Sequence, residues 1–219
     1  MTYESSTLHL ARIRLSYLIC TTPRTGSNLL CELLLNTGVA GRPDDYFWNP
    51  SFWQKRWGTT EYGGYVERML LEGKSPNGVF GVKMMWHYLD EVLPRLAEIA
   101  GCSDADPSAI MSAMFPNLRY VWLTRRDKVR QGISLYRALA TSAWRSTDRP
   151  VRSEAELPFN FQEIDRLVQQ STTGDLSWQA YFVRYGIEPL TVAYEDLAAA
   201  PQDTVRTILR HLSNLPRLA

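Results

Sequence analysis

Four short, largely apolar runs punctuate this chain: YLICTT (Tyr17–Thr22), VFGVKMM (Val79–Met85), LRYVWLT (Leu118–Thr124) and EPLTVAY (Glu188–Tyr194). They are rich in strand formers and lack a polar alternation, as strands covered on both faces do. Between and after them apolar residues recur at helical spacing. The predicted helices are Ser27–Asn36, stopped by Gly38, then Tyr62–Leu71, Leu89–Ala100, Lys128–Ala143, Phe161–Tyr185 and Pro201–Leu212. This alternation predicts an α/β fold with three layers, a mostly parallel central sheet with helices on both faces. No internal repeat is present, and 219 residues suit a single domain over 1–219.

Two stretches break the pattern. GRPDDYFWNPSFWQKRWG (Gly41–Gly58) is dense in aromatics, Pro and charge, and Ser142–Asn160 is polar and contains Pro. Both read as surface excursions. In open α/β sheets ligands bind beyond the carboxyl ends of the strands, so loops there often carry the site.

Composition narrows the partners. Lys and Arg number 24 against 23 Asp and Glu, a net charge of +1. A polyanion-binding face is therefore not implied, nucleic acid is not an expected partner, and any anion site must be local. Three cysteines without framework spacing (Cys20, Cys31, Cys102) point to reduced thiols in a cytoplasmic protein. Cys20 and Cys31 lie in apolar elements and read as small buried hydrophobes. His9, His87 and His211 are too scattered for a zinc site, so no metal is expected. No run approaches the ~18 apolar residues of a membrane span. The N-terminal stretch carries Glu4 and no A-x-A site, and is read as no signal peptide.

Local chemistry starts at CTTPRTGSNLL (Cys20–Leu30), a strand, a turn and a helix start. Gly26 would let backbone N–H groups approach an anion, and the helix N-terminus adds partial positive charge. Ser27 and Asn28 can cap and donate. Arg24 brings a planar cationic fork suited to tetrahedral oxyanions. An ATP-type loop would read G-x-x-x-x-G-K-[ST]; its first Gly and its Lys are missing here. The plain alternative is an ordinary strand-to-helix turn. A second cationic group follows the strand Leu118–Thr124. Arg125 and Arg126 end it, and Arg130 and Ser134, four apart, share a helix face. Its plain alternative is a solvated basic helix start.

TPRTGSNLL together with YVWLTRRDKVRQGIS resembles the sulfotransferase superfamily that uses 3′-phosphoadenosine 5′-phosphosulfate (PAPS). PLTVAYEDLAAAPQDTVRTILRHL matches that family's strand–YEDL–helix ending. TGVAGRPDDYF, PNGVFGVKMMW and YRALATSAWR look like the bacterial trehalose 2-sulfotransferase type. The likeness runs from Tyr17 to Leu212. It implies a P-loop-hydrolase-like sulfotransferase fold and PAPS as co-substrate without metal. It implies an enzyme that sulfates a hydroxyl of a small carbohydrate or glycoside by in-line displacement. In the residues matched, Arg24, Thr25, Gly26, Ser27 and Asn28 would hold the 5′-phosphosulfate. Arg125 with Arg130 or Ser134 would hold the 3′-phosphate, and Lys83 would reach the transferring group.

The general base of the trehalose type is a glutamate in a stretch resembling Gly-Glu-Pro-Gln-Glu-Phe-Phe. Here that stretch is GRPDDYF, so Asp45 takes its place, one methylene shorter, and Arg42 replaces the first acid. The implied acceptor therefore stays at a small sugar, with trehalose unassigned. Arg42, Asp44, Asp45, Tyr46, Phe47, Trp48 and Trp53 are the acceptor-side candidates, and His87 is the fallback base. Aromatic faces stack on sugar rings, and the same loop also suits core anchoring or a homodimer contact. Trp86 and Trp144 are candidates beside the nucleotide, with core packing the plainer role. The family usually continues past the last helix with an Arg-rich closing segment, which this sequence is expected to lack. Two alternatives stand beside this reading. A kinase or NTPase would need a P-loop Lys and a strand-end Asp for Mg²⁺. A non-catalytic nucleotide-binding homologue would keep the fold without turnover.

Overall fold

A computed structural model describes residues 13–145, 147–153 and 157–213. The N-terminal stretch with His9, read above as no leader, and the tail after Ser213 lie outside the described residues. All four strands are parallel: β1 (Leu15–Thr21), β2 (Val79–Met85), β3 (Arg119–Thr124) and β4 (Leu190–Ala193), in the order β2-β1-β3-β4. The helices are α1 (Ser27–Asn36), α2 (Pro50–Trp57), α3 (Tyr62–Glu72), α4 (Leu89–Ala100), α5 (Pro107–Met114), α6 (Lys128–Thr141), α7 (Phe161–Arg184), α8 (Tyr194–Ala199) and α9 (Pro201–Ser213).

The pleat of β1 explains the layers. Leu15, Tyr17 and Ile19 pack with Leu30 and Leu34 of α1 and Ile208 and Leu212 of α9. Leu18 and Cys20 point the other way, to a core holding Met69 of α3, Leu96 of α4, Met111 of α5 and Trp178 of α7. Both faces of β1 are buried, so a run without polar alternation is what its environment selects.

Three helices depart from the sequence reading. The aromatic stretch forms α2, capped by Asn49, whose side chain accepts from Phe52 N–H, with Pro50 opening the helix. Asp106 caps α5 in the same way, ahead of Pro107. Tyr194 ends the fourth strand early and begins α8. The stretch Gly41–Gly58 is also more than a surface excursion. Its first residues run beside β2, with Lys83 N–H donating to Asp44 C=O at 3.0 Å, and Tyr46 and Phe47 enter the core.

The strand order places the topological switch between β1 and β3. The chain leaves β1 toward β2 on one side and leaves β3 toward β4 on the other. The loops after β1 and β3 thus diverge and leave a crevice at the carboxyl ends.

Candidate active site

The loop after β1 adopts left-handed backbone twice, at Arg24 (φ 66°) and Gly26 (φ 81°). A Cβ on Gly26 would lie 2.6 Å from Tyr194 Cδ2, so glycine is required for both conformation and space. Thr25 is fully buried, with Oγ1 2.6 Å from Thr21 Oγ1 and donating to Thr22 C=O at 3.1 Å. Gly26 caps α1 with no side-chain acceptor, so the first N–H groups of α1 carry no side-chain cap. That is the preparation an anion site needs.

Across the crevice a cavity of about 430 Å³ is lined by Arg24, Arg125, Arg130, Ser134 and Arg137 with apolar neighbours. Arg24 Nε donates to Ser134 Oγ at 3.0 Å and its NH1 to Trp144 C=O at 2.5 Å. Arg125 NH1 donates to Arg24 C=O at 3.1 Å, and its guanidinium lies 4.5 Å over the Tyr194 ring. Burial, then the like charge of Arg125, pulls the pKa of Arg24 below the usual arginine value. Arg125 Nε is buried with no hydrogen-bond partner among the described residues. Crowded guanidiniums and an orphaned donor fit a bound anion. Arg126 turns away, and its guanidinium pairs with Asp196 while Glu195 accepts from Arg126 N–H. Arg130 is exposed and paired with Asp127 at 3.4 Å. Arg130 and Ser134 line the same cavity, so the structure brings both 3′-phosphate candidates together.

The first loop also reaches a third group. Asn28 Oδ1 accepts from Lys83 Nζ at 2.8 Å, and Lys83 Nζ lies 3.0 Å from Asp45 Oδ2. Tyr88 OH donates to the same oxygen at 3.4 Å. Burial pushes the Asp45 carboxyl up from its ordinary value, opposed by Lys83. Burial pushes His87 down, with Asp45 acting against it, so this second candidate base lies within the field of the first. Asp44 Oδ1 accepts from Asp45 N–H at 2.7 Å and faces Arg145 at 3.6 Å.

The remaining candidates divide. Arg42 is exposed and lines a separate cavity with Lys74 and Ser75, apart from the Asp45 group. Tyr46 and Phe47 are buried, Tyr46 OH donating to Arg42 C=O, so neither offers a free ring face. Trp53 is half-buried against Tyr46 and Trp57. Trp48 and Phe52 remain exposed and touch each other with centroids 6.4 Å apart. Trp86 packs edge-on against Trp178, whereas Trp144 contributes its carbonyl to Arg24. Residues the sequence reading missed are Tyr88, Arg145, Tyr194 and the buried pair Gln131 and Asp175. Gln131, Arg145 and Tyr194 stood in quoted motifs without being singled out; Tyr88 and Asp175 stood in none. Among the described residues no group of three or more His, Cys, Asp or Glu could hold a metal ion.

A family model described as Stf0 sulphotransferase matches residues 16–219. Two curated relatives bear the name trehalose 2-sulfotransferase. The one from Mycolicibacterium smegmatis is 29% identical over 231 residues, covering 93% of this chain and 86% of the relative. The one from Mycobacterium tuberculosis is 29% identical over 230 residues, with the same coverage.

Proposed function

This chain belongs to the Stf0 sulphotransferase family, and from that premise we propose that it transfers a sulfuryl group from PAPS to a hydroxyl of a small carbohydrate or glycoside. The observation that carries the reading is the pair of cationic arms, Arg24 with the uncapped start of α1 and Arg125 with Arg130 and Ser134, beside the ion pair of half-buried Asp45 with buried Lys83. Arg24 joins the two groups, its Nε donating to Ser134 Oγ at 3.0 Å, and a crevice that is cationic from the first loop to α6 suits a nucleotide with charge at both its 5′ and 3′ ends.

PAPS supplies an activated sulfuryl group on a nucleotide leaving group. The chain's own residues supply position and charge. Arg24, the N–H groups of Thr25 to Asn28, and Lys83 hold negative charge at the 5′ end. Arg125, with Ser134 or Arg130, holds the 3′ end. Asp45 accepts the proton of the acceptor hydroxyl. Its burial makes it a stronger base than a solvated aspartate, while Lys83 keeps it ionised. Two features support a sugar acceptor. The relatives are named for trehalose, and Trp48 and Phe52 expose aromatic faces on the loop that carries Asp45.

The test is calorimetric titration with 3′-phosphoadenosine 5′-phosphate beside ADP, with and without Mg²⁺, followed by transfer from PAPS to a panel including trehalose and simple glycosides. Tight bisphosphate binding indifferent to Mg²⁺, with sulfated product, is expected. Preference for ADP with Mg²⁺ would replace the reading with a kinase.

A further inference from the structure

We propose that Asp175, far from the phosphate loop in sequence, is a positioning residue that fixes the spacing of the two cationic arms. It would thereby set the preference for a nucleotide with two anionic ends over one with a single 5′-phosphate. The proposal rests on the donor reading above.

The observation is how one carboxylate is shared. Asp175 Oδ1 accepts from Thr22 Oγ1 at 3.0 Å, at the root of the first arm. Asp175 Oδ2 accepts from Lys128 Nζ at 2.5 Å and from Thr124 Oγ1, at the root of the second. Gln131, fully buried on α6, closes the network. Its Nε2 donates to Thr22 Oγ1 at 3.0 Å and to Pro23 C=O at 2.7 Å, and its Oε1 accepts from Lys128 Nζ at 3.1 Å. Each oxygen of Asp175 therefore holds a different arm.

The helix is seated for this task. A Cβ on Gly174 would lie 2.7 Å from Thr22 Cγ2, and one on Gly132 of α6 would lie 2.5 Å from Val168 Cγ2 of α7. The two glycines let α7 press onto both the loop and α6. One turn beyond, Trp178 Nε1 donates to Thr21 C=O at 3.0 Å. A buried ion pair is poor value for stability, since apolar residues of similar volume often do as well. It does fix geometry, and here the geometry it fixes is the gap between the arms.

The consequence is a chelate effect. A ligand held by both arms gains from their fixed separation, because engaging one makes engaging the other intramolecular. A ligand held by the first arm alone gains nothing from it. Loosening the network should weaken the doubly charged ligand selectively, whereas simple loss of stability would weaken both alike.

The experiment measures Kd for 3′-phosphoadenosine 5′-phosphate and for adenosine 5′-monophosphate on wild type, Asp175→Asn, Thr22→Val and Thr124→Val. Thr22→Val cuts the first arm from the carboxylate, and Thr124→Val removes one of its two ties to the second while leaving the Lys128 pair, so the two valine variants decide the matter if Asp175→Asn does not fold. The wild-type preference for the bisphosphate is expected to fall about tenfold in the variants, with the monophosphate nearly unchanged. A preference kept in both valine variants overturns this inference alone and leaves the donor reading standing. Wild type without any preference for the bisphosphate overturns the donor reading and this inference with it.

Discussion

Asp45 Oδ2 sits 3.0 Å from Lys83 Nζ, while Asp45 Oδ1 is buried with no hydrogen-bond partner among the described residues. One oxygen is held and the other keeps an unused acceptor position. Asp45→Asn keeps the shape and removes the basicity. Its kcat should fall by about 10²- to 10⁴-fold with little change in bisphosphate affinity. An active Asn variant would pass the role to His87. Inactive wild type with intact nucleotide binding would favour a non-catalytic homologue.

The pH profile follows from the same burial. The Asp45 carboxyl is pushed above the ordinary aspartate value. Because the base must be ionised, kcat/KM should fall on the acid side with an apparent pKa above that of a free aspartate. Stability has the opposite sign. A carboxyl whose folded pKa exceeds its unfolded one binds more protons when folded, so its contribution is present at low pH and lost as pH rises between the two values. His87 behaves inversely, since its lowered pKa adds stability as pH rises through its window. Rate profiles of the Asp45→Asn and His87→Asn variants assign the limb, which should vanish only in the first.

Lys83 is the counter-charge, with 4% of its side chain exposed. Lys83→Met should destabilise the fold by about 1–3 kcal/mol, because a half-buried carboxylate, 21% exposed, loses its partner. Adding Asp45→Asn should return part of that loss, a non-additivity read by denaturant unfolding of the two singles and the double. Additive losses would show that the pair does not interact as drawn. Activity should fall by at least about 10²-fold in all three.

The fold was legible where burial is uniform. β1 lies between two sheet neighbours and two helical layers, so its apolar run is unambiguous, and β2 was bounded to the residue. α2 was missed because its apolar residues are bulky aromatics in a charged background, although Asn49–Pro50 was a readable start signal. The first loop and Arg125 were legible because a strand, a turn and a helix are consecutive in the chain. Asp45 was reached only through resemblance, since Asp44–Asp45 alone reads as a turn. Asp175 was illegible, because its partners Thr22 and Thr124 lie 153 and 51 residues away and its role exists only once α7 is docked.

Trp48 is 63% exposed and Phe52 47%, while Tyr46 and Phe47 of the same loop are core. If the exposed pair stacks on the acceptor, Trp48→Ala should raise acceptor KM by about three- to tenfold, matching ~0.5–1.5 kcal/mol of aromatic contact, and leave bisphosphate Kd alone. A change in oligomeric state with unchanged KM would instead assign the patch to self-association.

Gly26 gives the sharpest backbone test. It combines φ 81° with a Cβ position 2.6 Å from Tyr194 Cδ2, and Tyr194 in turn carries the Arg125 guanidinium on its ring. Gly26→Ala must therefore push the tyrosine, and with it the cation of the second arm. The left-handed backbone alone costs an alanine about 1–2 kcal/mol. Nucleotide affinity should fall in addition, because the displaced ring moves Arg125. Truncating the obstacle separates the two effects: Gly26→Ala with Tyr194→Ala relieves the clash but not the backbone strain, and also removes the platform under Arg125. Denaturant unfolding should show part of the stability restored in the double variant, while bisphosphate titration should show no recovery of affinity. Recovery of both would mean that Tyr194 obstructs the alanine without supporting Arg125.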